Sequence, residues 1–469
     1  MKILLILPAA ARLRVTTQHA AVPKRKMLRF SLLPSTVAAL TPRSTPWRWS
    51  TEHVEPLHLE ADCDLVGITF MTALAPRAYE LAAWFRQRGR IVVAGGYHPT
   101  LCPQDAARHF DAVVVGNAEG AWPQLLTDVQ AGRLKPVYHS APSSVIPKPR
   151  RDLLTRTARH YATINAIQAG QGCRHQCRYC SVTVFHAARY QHRPVDELLA
   201  EISSLPGDFM FVDDNIIADR AFAAKLFGAL APLGKRWVSQ SSLAIGDDPE
   251  LLRLAHAAGC CGLFVGVETS NQANLAAINK PFNQSARYRE RLARIRHAGI
   301  GVVAGIIFGL DEDDPTVFAR TLRFLEQLQV DAVQFNILTP LPGTPLHRDF
   351  AQAGRITTHD WSEYDFRHVV FRPARMTPQQ LQAGADWAIA QFYRLDRIWR
   401  RFFRALFSVG LCPAFLGLKL GLTYRYDVKR DGIRGWNPAR LQQRSVHLMS
   451  RWSEMLTRYH KRPALEPHC

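Results

Sequence analysis

The chain has 469 residues, of which 47% are hydrophobic and 21% charged, and this composition excludes a disordered protein and a single small domain. Nine cysteines are too few for a disulfide framework, so we expect free thiols in a reducing cytoplasm. The net charge of +20 would suit nucleic acid or an anionic membrane surface, but nucleic acid is not expected as a partner because no nucleic-acid-binding motif is apparent.

The first part of the chain alternates apolar strand patterns with a helical pattern. The helix is predicted from Arg77 to Gly89, where apolar residues recur at helical spacing and a glycine ends the pattern. Strands are predicted at 2–8 ("KILLILP"), 64–72 ("DLVGITFMT"), 91–96 ("IVVAGG") and 111–116 ("DAVVVG"). Continuously apolar strands that alternate with helices predict a parallel sheet covered on both faces.

A basic stretch separates the first two predicted strands. It runs from Arg12 to Arg48 and contains eight Lys or Arg and no acidic residue. Three interpretations stay open for it: a solvated loop, a pair of helices, or part of the binding site for an acidic partner.

A proline-containing linker, "SAPSSVIPKPRRDLL", follows the first alternating region. We therefore predict a first domain at 1–140, a linker at 141–160, a second α/β domain at 161–355 and a C-terminal region at 356–469. Polar residues collect at the carboxyl ends of the predicted strands in the second domain. They are Asp213, Asp214, Asn215, Gln240, Glu268 and Asp311. In a parallel α/β barrel, that edge is the active-site face.

Strand–helix alternation stops after Arg355, and the remaining chain is predicted to be helical, basic and aromatic. It contains no run of about 20 uncharged apolar residues, which a membrane-spanning helix would need. The most apolar segment, Leu406 to Leu422, contains Pro413 and Lys419. It is either a helix that lies on a membrane or a buried helical hairpin.

Cys173, Cys177 and Cys180 lie on one glycine-flanked loop with C-x3-C-x2-C spacing. Three thiolates can hold three irons of a 4Fe–4S cluster, which leaves the fourth iron open for a substrate or cofactor. The spacing alone also allows a zinc site that is completed by His175, His186 or a distant residue.

The motif "CRHQCRYC", with Tyr179 before its last cysteine, resembles the signature of the radical S-adenosylmethionine (SAM) superfamily. Roughly residues 1–400 resemble radical SAM enzymes that carry an N-terminal cobalamin-binding-type domain. The further segments that carry this resemblance are "FMFVDDNIIAD", "LFVGVETS", "AGIIFGLDEDDP" and "LTPLPGTPL". The implied fold is α/β: an N-terminal Rossmann-like cobalamin-binding-type domain, a central partial (β/α)6 radical SAM barrel and a mainly helical C-terminal region.

The resemblance implies that the three cysteines bind a 4Fe–4S cluster and that the amino and carboxylate groups of SAM chelate its open iron. Reductive cleavage of SAM then normally yields a 5′-deoxyadenosyl radical. The residues that the resemblance assigns to SAM are Tyr179, Asp213, Asp214, Gln240, Glu268, Ile307 and Phe308. A flavodoxin or ferredoxin is the implied electron donor.

The resemblance also implies cobalamin in the first domain, and the chain departs from the pattern there. The D-x-H-x-x-G signature, whose histidine ligates cobalt, is absent, although many radical SAM relatives lack it and bind cobalamin without a protein histidine. The residues that fall where loops would surround the corrin are Thr69, Gly95, Gly96, His98, Gly116 and Glu119.

The function implied is a cobalamin-dependent methyltransferase, and Tyr364 and His368 are candidate substrate contacts from the C-terminal region. One alternative is a cobalamin-independent transferase that moves the aminocarboxypropyl group of SAM to a soft acceptor such as trivalent arsenic. Cys260 and Cys261, with Cys102, would suit that acceptor, although a cysteine before a strand is commonly a small buried residue. A second alternative is a basic zinc-binding adaptor protein. The expected substrate is a small molecule or a lipid, the latter if the C-terminal region contacts a membrane peripherally.

Overall fold

A computed structural model describes residues 1–14, 32–140, 145–161 and 165–430. Met1–Leu422 form one compact unit, and Thr423–Cys469 form a second unit of which only the start is described. Part of the basic stretch therefore lies outside the described residues, as do the last 39 residues of the predicted C-terminal region.

The first half of the compact unit is built on a six-stranded parallel sheet with strand order β2-β1-β3-β4-β5-β6. Its strands are β1 (Ile3–Leu7), β2 (Trp47–Thr51), β3 (Leu65–Thr69), β4 (Ile91–Gly95), β5 (Ala112–Val115) and β6 (Val137–His139). The helices of this half are α1 (Leu33–Ala39), α2 (Ala75–Arg86), α3 (Tyr97–Leu101), α4 (Pro103–Ala106) and α5 (Trp122–Gln130). The described part of the basic stretch forms α1, an exposed turn at 42–46 and the start of β2, so it is not a solvated loop throughout.

Both faces of this sheet are covered, as the apolar strands predict. Ile3 and Leu5 of β1 point into one hydrophobic cluster, whereas Leu4 and Ile6 point into another on the opposite face. Alternate residues of a strand face opposite sides of a sheet, so an uninterrupted apolar strand is the sequence of a sheet with two cores.

The second half contains an open sheet of six parallel strands with order β14-β13-β12-β11-β10-β7. These strands are β7 (Ala166–Ile167), β10 (Phe209–Phe211), β11 (Trp237–Ser241), β12 (Cys260–Glu268), β13 (Gly301–Phe308) and β14 (Ala332–Ile337). A separate antiparallel pair comprises β8 (Gly170–Gly172) and β9 (Tyr190–His192). The predicted fold class, a Rossmann-like domain followed by a partial (β/α)6 barrel and helices, is confirmed. The predicted domain boundaries stay predictions.

Helices connect the barrel strands and form the C-terminal region. They are α6 (Ser181–Phe185), α7 (Val195–Ser203), α8 (Arg220–Leu230), α9 (Pro249–Ala257), α10 (Gln272–Ala277), α11 (Tyr288–His297), α12 (Val317–Leu328), α13 (Pro345–Gln352), α14 (Pro378–Phe392), α15 (Leu395–Ser408) and α16 (Leu411–Arg430). Several begin at a side-chain cap: Asp219 accepts a hydrogen bond from the backbone N–H of Phe222 at the start of α8. Thr377 and Gln380 form a reciprocal capping box at the start of α14.

The apolar segment Leu406 to Leu422 is divided between the end of α15 and most of α16. Glycines in the barrel let α16 approach closely: a Cβ at Gly262 would lie 2.7 Å from Leu416, and one at Gly301 would lie 3.0 Å from Pro413. Within the described residues, we find no helix that is both long and apolar enough to cross a membrane.

A disulfide joins Cys412 of α16 to Cys261 at the start of β12, with their Cα atoms 5.9 Å apart. The expectation of free thiols throughout is therefore wrong for this pair. The sequence could not indicate the bond because 151 positions separate the two cysteines, and only the packing of α16 on the barrel brings them together.

Candidate functional site

Two consecutive carboxylates hold the backbone that leads into the three-cysteine loop. Asp213 accepts hydrogen bonds from the backbone N–H groups of Ala169 and Gly170, at 2.8 and 2.7 Å. Asp214 accepts one from Gly172 at 2.9 Å. Gly172 has a φ of +86°, and a Cβ there would lie 2.1 Å from the carbonyl oxygen of Arg189, so no other residue fits this turn. The loop enters the barrel edge in one fixed position.

The three thiols line a cavity of about 300 Å³, which we call the cysteine cavity. Burial raises the pKa of all three, that of Cys177 to about 12. The amide nitrogen of Asn215 lies 4.0 Å from Sγ of Cys173. A thiolate binds metal in its deprotonated form, so metal binding at these buried thiols would release protons.

The zinc alternative finds no support in the part of the chain that the structure describes. No three carboxylate, imidazole or thiol groups there converge closely enough to hold one metal ion. His175 stacks on Phe282 with ring centroids 3.8 Å apart, and His186 lies near Asp214 at 3.9 Å. All three thiols line one cavity, and a 4Fe–4S cluster is held in this way by cysteines that each bind a different iron.

The wall of the cysteine cavity carries a buried charge pair. Nζ of Lys280 lies 2.5 Å from Oε1 of Glu268, and the same oxygen accepts a hydrogen bond from the hydroxyl of Tyr179 at 3.1 Å. Burial lowers the pKa of Lys280, but the Glu268 carboxylate, together with the Cys177 and Cys180 thiols, raises it overall. A side chain at Gly266 would lie within 2.6 Å of both charged groups, so the glycine makes room for the pair.

A β-bulge aims Glu268 into this cavity. The pairing of β12 with β13 shifts register between Gly266 and Glu268, and Glu268 has a φ of +66°. A non-glycine residue in this left-handed conformation is uncommon and strained. Strain of this kind concentrates at functional sites, and here it places a carboxylate beside the three thiols.

Other predicted residues join the cavity wall. Asp214, Gln240 and Ile307 line it, with Glu268 and Tyr179. Asp213 and Phe308 do not line it: the Asp213 carboxylate is 1% exposed and is used on backbone N–H groups, and burial raises its pKa to about 8. Phe308 is fully buried and packs against Phe318 and Phe335.

The sequence reasoning missed several polar lining residues, among them Gln334, Asn336 and Lys280. Gln334 and Asn336 project from β14 into the cysteine cavity, and the polar positions inside an apolar strand were the signal that could have found them. Lys280 lies in the connection after α10, where no strand-end pattern marks it. Its role depends on the ion pair with Glu268.

A second cavity of about 340 Å³ lies at the carboxyl edge of the first sheet, and we call it the sheet-edge cavity. Five of the residues predicted for cobalamin line it: Thr69, Gly95, Gly96, Gly116 and Glu119. The barrel supplies the facing wall, which includes Gln168, Gln171, Phe185, His186, Asp214 and Gln240. Asp214 and Gln240 line both cavities, so the two cavities share one wall.

His98 is the exception among the residues predicted for cobalamin, because it does not line the sheet-edge cavity. Its ring is fully buried, and Nε2 lies 2.9 Å from the Tyr79 hydroxyl and 3.4 Å from Asp105. Burial lowers the pKa of His98 to about 4. The same Asp105 oxygen accepts a hydrogen bond from Nε1 of Trp361, so His98 belongs to a buried polar cluster that ties the C-terminal region to the first sheet.

The residues around the sheet-edge cavity fit a large ligand with polar edges. A Cβ at Gly95 would meet nothing within 4 Å, whereas one at Gly96 would lie 2.7 Å from Oγ1 of Thr69. The amide nitrogen of Gln171 is buried and has no hydrogen-bond partner among the described residues. A corrin carries amide groups around its rim, so Gln171, Gly95 and Gly96 are the residues that would hold it.

The four candidate substrate residues line neither cavity. The Tyr364 hydroxyl donates to the backbone oxygen of Thr358 at 2.9 Å, and His368 is exposed beside Asp365. Phe366, between them, lines the cysteine cavity instead. Cys260 and Cys261 lie at the first residues of β12, whereas Glu268 lies at its last, so the structure does not bring them to the site.

Two family models match separate parts of the chain. The Radical SAM superfamily model matches residues 167–325, and the B12 binding domain model matches residues 37–126. The first range covers the three cysteines, and the second covers the glycine-lined edge of the first sheet.

Two curated relatives have similar sequences. The chain is 29% identical over 346 residues to the bacteriochlorophyllide d C-12(1)-methyltransferase of Chlorobaculum tepidum. The aligned region covers 71% of this chain and 74% of that protein. It is 30% identical over 287 residues to the hopanoid C-2 methylase of Rhodopseudomonas palustris. This alignment covers 57% of this chain and 54% of that protein.

The fold is shared with solved structures at lower identity. A radical S-adenosylmethionine methyltransferase from Kitasatospora setae, solved with tryptophan and a SAM analogue, superposes with a TM-score of 0.61 at 16% identity. The match covers 92% of this chain and 99% of that chain. At this identity the likeness concerns the fold, which is the two-sheet architecture described above.

Proposed function

We propose that this chain, which is a radical SAM enzyme with an N-terminal cobalamin-binding-type domain, is a methyltransferase that methylates an unactivated centre of a small molecule or lipid. Its cofactors are a 4Fe–4S cluster, SAM and cobalamin. When bound, the cluster supplies the electron that cleaves SAM, and cobalamin supplies the methyl group. The single observation that carries the proposal is the wall shared by the two cavities.

The shared wall supports methyl transfer because the site that cleaves SAM and the site that donates the methyl group would then be adjacent. A substrate that reaches Asp214 and Gln240 borders both the cysteine cavity and the sheet-edge cavity. Activation of a substrate atom and delivery of a group to that atom then need no movement of the substrate between distant sites. Holding the reacting groups in place in this way can remove much of the entropic barrier to a reaction between separate molecules.

In this proposal, residues of the chain bind and orient the reactants. Cys173, Cys177 and Cys180 hold the cluster. Glu268, paired with Lys280, accepts hydrogen bonds from the cationic amine or the ribose hydroxyls of SAM. Apolar side chains such as Ile307 and Phe264 line the same cavity and exclude water from it.

The names of the relatives support a carbon atom as the methyl acceptor. Two are named as methyltransferases that act at C-12(1) and C-8(2) of bacteriochlorophyllide d, and a third as a methylase of hopanoid C-2. We propose an acceptor of that general class for this chain, with a flavodoxin or ferredoxin as the reductant. The position of the thiols disfavours the arsenic alternative, because Cys260 and Cys261 lie away from both cavities.

The test is anaerobic reconstitution with iron, sulfide and hydroxocobalamin, followed by incubation with reductant and SAM labelled in its methyl group. Two products are expected: label in the corrin fraction with S-adenosylhomocysteine as co-product, and 5′-deoxyadenosine with methionine from reductive cleavage of a second SAM. Cys173→Ala is the control for cluster dependence and should lose the 5′-deoxyadenosine. Methylthioadenosine as the main product, without corrin binding, would contradict the proposal and favour transfer of the aminocarboxypropyl group.

A further inference from the structure

Helix α15 exposes an aromatic stripe on the surface of the described C-terminal region. Trp399, Phe403 and Phe407 recur every four residues, and Leu411 continues the stripe at the start of α16. Their exposed fractions are 41%, 50%, 85% and 54%. Residues four apart lie on the same side of a helix, so Trp399, Phe403 and Phe407 form one apolar strip on α15. Together with the exposed Leu411 at the start of α16, we call it the α15 stripe.

The opposite side of α15 already packs on the protein. Ile398, Phe402 and Ala405 are buried, and the guanidinium of Arg401 lies 3.9 Å from the ring centroid of Phe392. Arg404 donates hydrogen bonds to the carbonyl oxygens of Gln329 and Val330, at 2.7 and 2.8 Å. The helix is therefore held in place by its other side, and the α15 stripe is not the side that anchors it.

The charge around the stripe is mainly positive. Residues 395–422, which form α15 and the start of α16, contain four Arg and one Lys against a single acid, Asp396, and Arg397 also pairs with Glu326 of α12. Arg401 and Arg404 are used to hold the helix, whereas Arg400 is exposed directly beside Trp399. An aromatic strip flanked by cations is the arrangement of helices that lie in the surface of an anionic bilayer.

We propose that the α15 stripe binds the surface of an anionic phospholipid bilayer. Aromatic side chains enter the boundary between headgroups and acyl chains, and Arg400 remains among the lipid phosphates. This surface shares only Phe407 and Leu411 with the segment Leu406 to Leu422 suggested by the sequence, because the first part of α16 after Leu411 packs on the barrel through Leu416 and the Cys261–Cys412 disulfide. Binding at this surface would deliver the enzyme to substrates dissolved in the bilayer, and it does not depend on the reaction catalysed.

The experiment is flotation of the full-length protein with vesicles of phosphatidylcholine alone or mixed with phosphatidylglycerol. We expect binding to the anionic vesicles that weakens as salt is raised. Phe407→Asp should reduce the partition coefficient at least about tenfold, and Arg400→Gln about fivefold. Val145→Asp and Arg253→Gln are matched controls, because they change an exposed apolar residue and an exposed arginine elsewhere.

Iron content and hydroxocobalamin binding check that each variant is folded. Two outcomes would overturn the proposal. The first is that wild type and Phe407→Asp partition equally, and the second is that the control variants lose as much binding as the stripe variants. A wild-type dimer that Phe407→Asp converts to monomers, without any vesicle binding, would overturn it too, because a second copy of the chain would then cover the stripe.

Discussion

Nζ of Lys280 lies 2.5 Å from Oε1 of Glu268, and both side chains are nearly buried in the wall of the cysteine cavity. The pair joins the connection after α10 to the bulged end of β12. Removing one partner of a buried ion pair leaves the other charge without compensation, which typically costs about 3–5 kcal/mol of unfolding free energy. Both single variants should therefore lose stability for the same reason.

We expect Lys280→Met and Glu268→Gln each to lower the free energy of unfolding by about 3–5 kcal/mol, measured by urea denaturation. The double variant should be close to wild type in stability, since no buried charge remains. SAM affinity, measured by calorimetry on the reconstituted enzyme, should fall in Glu268→Gln and in the double variant alike. Recovery of SAM affinity in the double variant would mean that Glu268 has only a structural role.

Replacing any one of Cys173, Cys177 and Cys180 by alanine should abolish the brown colour and reduce bound iron to background after anaerobic reconstitution. Each cysteine lines the same cavity, and a cluster with only two thiolate ligands is poorly held. Cys260→Ala is the matched control, because that thiol is buried at the start of β12. Iron retained in a triple Cys→Ala variant would show that another site holds it.

Gln171→Leu should weaken hydroxocobalamin binding about threefold to tenfold, as measured by spectroscopic titration of the reconstituted enzyme. The amide nitrogen of Gln171 is buried at the sheet-edge cavity without a hydrogen-bond partner among the described residues. Loss of one neutral hydrogen bond to the ligand weakens binding by about this factor. Gln87→Leu, at an exposed position after α2, is the control. Equal affinity in Gln171→Leu and wild type would remove Gln171 from the corrin site.

The buried ring of His98 should make stability fall as the solution becomes more acidic. Burial lowers the pKa of His98 from 6.5 to about 4, so the unfolded chain takes up this proton first as the pH falls. The stability that the neutral ring contributes is complete above about pH 6.5 and is lost progressively toward pH 4.

Between about pH 7 and pH 5, we expect wild type to lose about 2 kcal/mol of unfolding free energy more than His98→Gln loses. Urea denaturation of both proteins at the two pH values measures this difference. Parallel losses in the two proteins would mean that His98 accepts a proton while folded, through the nearby Asp105 carboxylate.

The sequence was most informative where a single geometric rule connects order along the chain with position in space. Parallel strands end at one edge, so Asp214, Gln240 and Glu268 could be expected to meet, and all three line the cysteine cavity. The rule does not say which side of the strand end a residue faces. Asp213 therefore turns to backbone N–H groups and Phe308 to the core.

Contacts between distant parts of the chain were not predictable in this way. Lys280 reaches the site by pairing with Glu268. His98 does not line the sheet-edge cavity because its ring contacts Tyr79 and Asp105. Cys261 meets Cys412 only because α16 approaches two glycines of the barrel. Each position depends on tertiary packing, for which local sequence carries no signal.

The cysteines of this chain require opposite redox treatment. Cys173, Cys177 and Cys180 must be reduced to receive iron, whereas Cys261 and Cys412 form a bond that a reductant opens. The strong reductants used to load and activate the cluster can therefore also release α16 from the barrel. A preparation with full iron occupancy is then the one in which the attachment of the C-terminal helices should be checked, by counting alkylatable thiols before and after the cluster is installed.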